Sequence, residues 1–160
     1  MRKPFKSLIA FAVVALVAAP IIYAANVHFK SGGSPTFSDQ GTTLKTSFCL
    51  TGLGNQDVTI TVKTNGLATT LCTNKGGNTA PGQNKTPVKP SAQQTFPATE
   101  IKNGNLCVCL TTTPPPAPTA TQAGCPNSNW STSITDVQFT SAEIIVVQGG
   151  KVVLDQNFNL

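Results

Sequence analysis

Five cysteines are the residues of this sequence with the clearest chemistry: Cys49, Cys72, Cys107, Cys109 and Cys125. In an exported chain they predict at least two disulfides, with one cysteine left over. Cys107 and Cys109 share one face of a predicted strand, roughly 6–7 Å apart, so a bond between them would be strained. We favour Cys109–Cys125 and Cys72–Cys107 as the bridges, with Cys49 unpaired, and the other arrangements stay open.

The same sulfur atoms could instead bind a metal or act in redox catalysis. Cys107 and Cys109 offer two thiolates to copper(I) or zinc. The other cysteines lie far off in the sequence, no Cys-x-x-Cys motif is present, and His28 is the single histidine. We therefore expect disulfides, no metal site and no cofactor.

An enzyme needs a nucleophile, a base or paired carboxylates within reach of each other. His28 stands near the predicted mature N terminus, where an ordinary solvated histidine is the simpler interpretation. The acids are scattered, most of them at expected turns or strand ends: Asp39, Asp57, Glu100, Asp136, Glu143 and Asp155. No glycine-rich phosphate loop precedes a helix. The sequence therefore predicts no catalytic residues and no enzyme activity.

Trp130 and three lysines are the candidate ligand-binding residues. Trp130 is the only tryptophan. It is either a core side chain beside a disulfide or a platform on which a sugar ring stacks, with asparagines nearby. Lys75, Lys85 and Lys89 lie on an expected loop, where they are either simply solvated or in contact with an anionic envelope polymer or lipid head group.

The proline-rich run from Thr113 to Pro118 predicts an extended polyproline helix. It is either a stiff exposed connection or a recognition segment, for example one that inhibits a secreted protease.

The N terminus has the pattern of a secretory signal peptide: Arg2, Lys3 and Lys6, then the apolar run Leu8–Tyr23, then Ala24 and Ala25. The mature chain should begin at Ala25 or Asn26. It is then secreted or periplasmic, with no transmembrane anchor. Cleavage removes three of the 11 lysines and arginines and none of the 6 acids, which lowers the net charge from +5 to +2. Without a clustered basic surface, nucleic acid is excluded as a partner.

The elements that must position these residues are β-strands, because threonine and valine suit pleated surfaces and no convincing helical period is present. Three two-residue turn signals predict hairpins. Each joins two expected strands: Asn65-Gly66 joins Asp57–Thr64 to Leu67–Thr73, Asn103-Gly104 joins Ala98–Lys102 to Asn105–Thr111, and Gly149-Gly150 joins Ala142–Gln148 to Lys151–Asn157. Further strands are expected at Thr43–Thr51, Asn26–Lys30 and Thr132–Phe139.

Alternation assigns faces to these strands. In the first hairpin, one face is expected to hold Val58, Ile60, Val62 and Leu71, and the other Ala68, Thr70 and Cys72. Cys49, Cys107 and Cys109 also fall opposite the aliphatic face of their strands. The final hairpin is apolar on both faces near its turn. It is either covered on both sides by the fold or pairs with another subunit, with Ile144, Val146 and Val153 as the self-association residues.

These patterns predict one domain over residues 26–160: a disulfide-stapled antiparallel β-sandwich of about eight strands, immunoglobulin-like or Greek-key, with long loops at 74–90 and 111–124. Export, disulfides and strand-rich sequence together resemble exported subunits of bacterial surface fibres, although no motif transfers individual residues. We expect a non-catalytic structural or adhesive interaction protein. A carbohydrate-binding module and a secreted protease inhibitor are the alternatives.

Overall fold

The computed structural model describes residues 26–160, so the predicted signal peptide lies outside the described residues. The regular secondary structure of the described chain is almost entirely β-strand. Its ten strands are β1 (His28–Phe29), β2 (Thr36–Asp39), β3 (Leu44–Thr51), β4 (Val58–Thr73), β5 (Thr79–Pro81), β6 (Thr86–Val88), β7 (Ser91–Phe96), β8 (Leu106–Thr111), β9 (Ser131–Gln148) and β10 (Lys151–Asn159). A 3-10 turn (Ala98–Glu100) and a one-turn helix α1 (Ala120–Ala123) complete it. No helix of this part of the chain is long and apolar enough to cross a membrane.

Sheet A is built around β3. Lys45 pairs with Ser38 of β2 and with Thr111 of β8, while Leu50 pairs with Phe29 of β1 and with β8. Because a strand has two edges, β8 must occupy one edge of β3, and β1 and β2 must follow each other along the opposite edge. All of these pairings are antiparallel.

Sheet B is built around the long strand β4. β9 pairs with β4 over its whole length, and β7, β6 and β5 lie in tandem along the other edge. The predicted loop at residues 74–90 therefore contributes two short edge strands, β5 and β6. β10 pairs with β9 and ends the sheet.

The first predicted hairpin is wrong, because Asn65-Gly66 lies inside β4 and makes no turn. A Cβ atom added at Gly66 would meet Val137 Cγ1 at 2.7 Å and the Gln138 carbonyl oxygen at 2.9 Å. The glycine is thus needed for the close approach of β9. Alternation then continues through the predicted turn. Ala68, Thr70 and Cys72 therefore share the buried face with Val58, Ile60 and Val62, and Leu71 lies on the other face.

Two bulges let β9 follow β4. β9 has 18 residues against 16 in β4, and the pairing register shifts once beyond Asn65 and once beyond Thr69. Each shift places one extra residue in β9 and reverses which side chains face inward. The buried side chains accordingly change from Val137 and Phe139 to Ala142, Ile144 and Val146.

The other two turn signals are confirmed. Asn103 and Gly104 both have positive φ angles, 51° and 74°, and Lys102 and Asn105 exchange backbone hydrogen bonds across them. The first arm of that hairpin is shorter than predicted, because Ala98–Glu100 form a 3-10 turn. Gly149 and Gly150 join β9 to β10, with φ angles of 60° and 74°.

The main core cluster takes side chains from both sheets. Sheet A supplies Phe48, Leu50, Leu106, Val108 and Leu110, and sheet B supplies Val58, Ile60, Val62, Phe96, Ile144 and Val146. A second, smaller cluster contains Leu44, Ala68, Val88, Val137, Phe139 and Ala142. The all-β, antiparallel, disulfide-stapled class is confirmed. The strands number ten instead of about eight, and the sandwich architecture stays a prediction.

Candidate functional site

Two disulfides form, and their pairing differs from the one favoured from sequence. Cys49 bonds Cys107 and Cys72 bonds Cys125, which leaves Cys109 as the free, exposed thiol. Cys49 and Cys107 occupy opposed positions on β3 and β8, with Cα atoms 4.0 Å apart. The pairing register of β3 and β8 therefore determines the Cys49–Cys107 bridge. Two disulfides also indicate an oxidising, extracytoplasmic environment.

Cys72 differs from the other strand cysteines because it lies on the buried face of β4. Its side chain is 0% exposed. The predicted bridge from Cys72 to Cys107 is wrong because Cys107 lies on the solvent side of β8. Cys125 instead follows α1, and its backbone N–H donates to the Ala120 carbonyl at the end of that helix.

Two polar loops lie side by side beyond the paired ends of β4 and β9, next to the Cys72–Cys125 bridge. Thr73 and Ser131 are the last paired residues of these strands. Asn74 and Lys75 follow Thr73, and Trp130 precedes Ser131. Between the loops is a recess of about 320 Å³, which we call the Trp130 recess. It is lined by Asn74, Lys75, Gly76, Asn127, Asn129 and Trp130.

Hydrogen bonds within each loop shape the Trp130 recess. The Asn74 side-chain oxygen accepts from the backbone N–H groups of Gly76 and Asn78, both at 2.9 Å. The Asn127 side-chain oxygen accepts from the Asn129 N–H at 3.0 Å. Both asparagines use their oxygens to hold the loops, so their side-chain N–H₂ groups are the donors that they can offer to a ligand.

Trp130 is half-buried and belongs to neither core cluster. Its interpretation as a core side chain is therefore wrong. An indole that stays partly exposed beside a recess can present apolar surface to a ligand.

The structure separates the three predicted lysines. Lys75 lies beside Trp130 in the recess. Lys85 donates from Nζ to the Thr69 hydroxyl at 2.6 Å, on the outer face of β4. Lys89 lines a different polar recess together with Lys63 and Glu143. The sequence placed all three on one loop, whereas the tandem strands β5 and β6 spread them along the edge of sheet B.

The proline-rich run lies against the edge of sheet B. Pro115, Pro116 and Pro118 line a recess of about 400 Å³ together with Pro87 and Val88 of β6. The Thr113 N–H donates to the Ser91 carbonyl at 3.0 Å, and the Thr132 hydroxyl donates to the Pro118 carbonyl. The run is thus anchored at both ends.

The predicted self-association residues belong mainly to the core. Ile144 and Val146 are fully buried, and Val153 is half-buried at a bulge in β10. This bulge also moves Leu154 opposite Val146, away from the face predicted for it. The outward face of the hairpin instead carries Ile145, Val147 and Val152, which we call the hairpin patch.

Sequence reasoning missed a buried glutamine that supports the final hairpin. Gln148 at the end of β9 accepts from the Gly54 N–H at 2.8 Å and donates to the Gln56 carbonyl at 2.6 Å. It thereby fastens the loop before β4 to the end of β9. Gln148 ends an alternating series of apolar residues, at a position where an inward side chain is expected. That position was the signal in the sequence that could have identified it as buried.

The titratable side chains of the described chain are the groups that catalysis or a metal site would need. His28 is exposed, with Nδ1 2.7 Å from the Asn26 carbonyl oxygen. Within residues 26–160, no group of three or more histidine, cysteine, aspartate and glutamate side chains could hold a metal ion. Glu143 forms an ion pair with Lys63 at 3.2 Å.

The chain matches no protein-family model and no curated protein.

Proposed function

We propose that the mature chain is a secreted, non-catalytic interaction protein of the cell envelope or extracellular space, and that it associates with further copies of itself through β10. The observation that carries this proposal is the position of the exposed apolar side chains. In the described chain, the large apolar side chains exposed to solvent are Val152 at 61% and Leu160 at 44%. One stands near the start of β10 and the other directly follows its end.

β10 is also the last strand of sheet B, and β9 is its pairing partner within the described chain. An edge strand with exposed apolar side chains is a template for pairing with another chain. Val152 pairs with Val147 on the outward face, where Ile145 continues the hairpin patch. A second copy that covered this patch would remove apolar surface from water, which favours association.

The free thiol of Cys109 offers a second route to association. It is exposed on the outer face of sheet A and accepts a hydrogen bond from the Ser47 hydroxyl at 3.3 Å. In an oxidising compartment, such a thiol can form a disulfide with another molecule.

The test is the mass of the folded mature protein in solution, with Val152→Lys as the variant. Lysine on an edge strand opposes strand pairing. The proposal requires a wild-type assembly that this variant disrupts without unfolding the domain.

Carbohydrate binding is the second candidate. The observation that favours it is the presence of Trp130, Lys75 and three asparagines around one recess.

A further inference from the structure

The Trp130 recess combines the groups that recognise sugars. The indole supplies an apolar surface, Asn74 and Asn127 supply side-chain N–H₂ donors, and Asn129 supplies an amide that can donate to and accept from hydroxyl groups. The recess is held by a covalent bridge, because Cys72 and Cys125 each lie a few residues before the loop that they position. A ligand therefore meets loops whose relative position is already set, which lowers the entropic cost of binding.

The charge of the recess selects among sugars. Lys75 is exposed and is the charged residue among the six that line the recess, which include no carboxylate. A cation beside amide donors favours a ligand that carries a carboxylate, because hydrogen bonds to charged groups are the stronger ones. Neutral glycans would use the indole and the amides but would leave this cation without a partner.

We infer that the Trp130 recess binds acidic polysaccharide, with a sugar ring stacked on Trp130 and a uronate carboxylate bonded to Lys75. The inference rests on the proposed role as an interaction protein and names the chemistry of one partner. The recess is small and open to solvent, so a disaccharide-sized unit should bind only weakly. Repeated units and repeated protein copies raise the apparent affinity for a polymer.

The single tryptophan makes the test direct, because all indole emission comes from this recess. The folded mature protein is titrated with polygalacturonate, an acidic glycan, and separately with dextran, a neutral one. Wild-type emission should change saturably with polygalacturonate. Lys75→Ala should weaken that binding by about tenfold or more, the loss of one charged hydrogen bond.

Lys85→Ala is the matched control, since it removes the same charge from a lysine that bonds Thr69 outside the recess. Its binding should equal that of the wild type. Trp130→Ala, measured by calorimetry and checked for folding by circular dichroism, should lose binding to both glycans.

Three results would overturn the inference: no saturable change with polygalacturonate, equal weakening by Lys75→Ala and Lys85→Ala, or equal affinity for dextran. The second would mean diffuse charge attraction, and the third a neutral-sugar site. None of these results bears on association through β10, which is measured by mass without any glycan. The two proposals therefore fail separately.

Discussion

Cys72 and Cys125 are 53 residues apart in sequence, yet their Cα atoms lie 5.8 Å apart across a disulfide. Lys75 follows the first cysteine and Trp130 follows the second, so this bridge and the pairing of Thr73 with Ser131 together position the Trp130 recess. The bond thus serves stability and the candidate site together.

Removal of this bridge should destabilise the domain and loosen the recess. For Cys72→Ala/Cys125→Ala, loop-closure entropy predicts a loss of about 4 kcal/mol in the free energy of unfolding. Urea unfolding followed by circular dichroism measures it, and the native Trp130 emission should shift towards that of a solvated indole. Cys109→Ser is the control and should change neither quantity. A double variant as stable as the wild type would contradict this role for the bridge.

The assignment of the free thiol predicts selective labelling. Under native, non-reducing conditions, iodoacetamide should modify Cys109 in any molecule that carries no intermolecular bond, because the four other cysteines are bridged. Peptide mapping should recover the pairs Cys49–Cys107 and Cys72–Cys125. Label on Cys49, or a Cys109–Cys125 peptide, would show that the bridges are arranged differently.

Gly66 should not tolerate a side chain. Gly66→Ala places a methyl group within 3 Å of Val137 and of the β9 backbone, so overpacking should cost about 1–3 kcal/mol in the free energy of unfolding. Gly76→Ala is the matched control, since a Cβ there meets its nearest atom at 3.4 Å. Chemical unfolding of both variants measures the difference. If Gly66→Ala and Gly76→Ala were equally stable, Asn65-Gly66 would instead form an exposed turn, as the sequence first indicated.

Gln148 should contribute more to stability than its exposed counterpart on the same strand. Gln148→Met keeps the size of the side chain but leaves the buried Gly54 N–H without its acceptor, which costs about 1–3 kcal/mol. Gln138→Met, at an exposed position of β9, should have little effect. Chemical unfolding measures the free energies of unfolding of Gln148→Met and Gln138→Met. Equal values would mean that the Gln148 hydrogen bonds add no net stability.

Local alternation was enough to predict the fold class and several strand faces. On β3, Leu44, Phe48 and Leu50 face inward and Cys49 lies on the opposite face, as predicted for that cysteine. The Asn65-Gly66 turn was wrong because a turn signal is local, whereas the pairing of β4 with β9 joins residues far apart in sequence. The same glycine suits both a turn and a close approach of two strands, and its own neighbours in sequence do not distinguish them.

The candidate site was predictable only in part. Trp130 and Lys75 were both identified as ligand-binding candidates, but their proximity depends on the pairing of β4 with β9, which ends at Thr73 and Ser131. The mistaken turn at Asn65-Gly66 hid this pairing, and the sequence also left the Cys72–Cys125 bridge open among other pairings. The exposed residue of the final hairpin was missed for a similar reason. A bulge at Val153 changes the register of β10, and no residue type marks that bulge in the sequence.

Association through β10 is tested most directly by sedimentation velocity over a series of concentrations, on the mature wild type, Val152→Lys and Gln138→Lys, all with Cys109 alkylated. Gln138→Lys adds the same charge at an exposed position of β9, so it controls for charge alone. We expect the wild type and Gln138→Lys to assemble reversibly, and Val152→Lys to stay a folded monomer at the same concentrations. A wild type that remains monomeric at every concentration, or a Val152→Lys variant that assembles as the wild type does, would show that β10 does not mediate association.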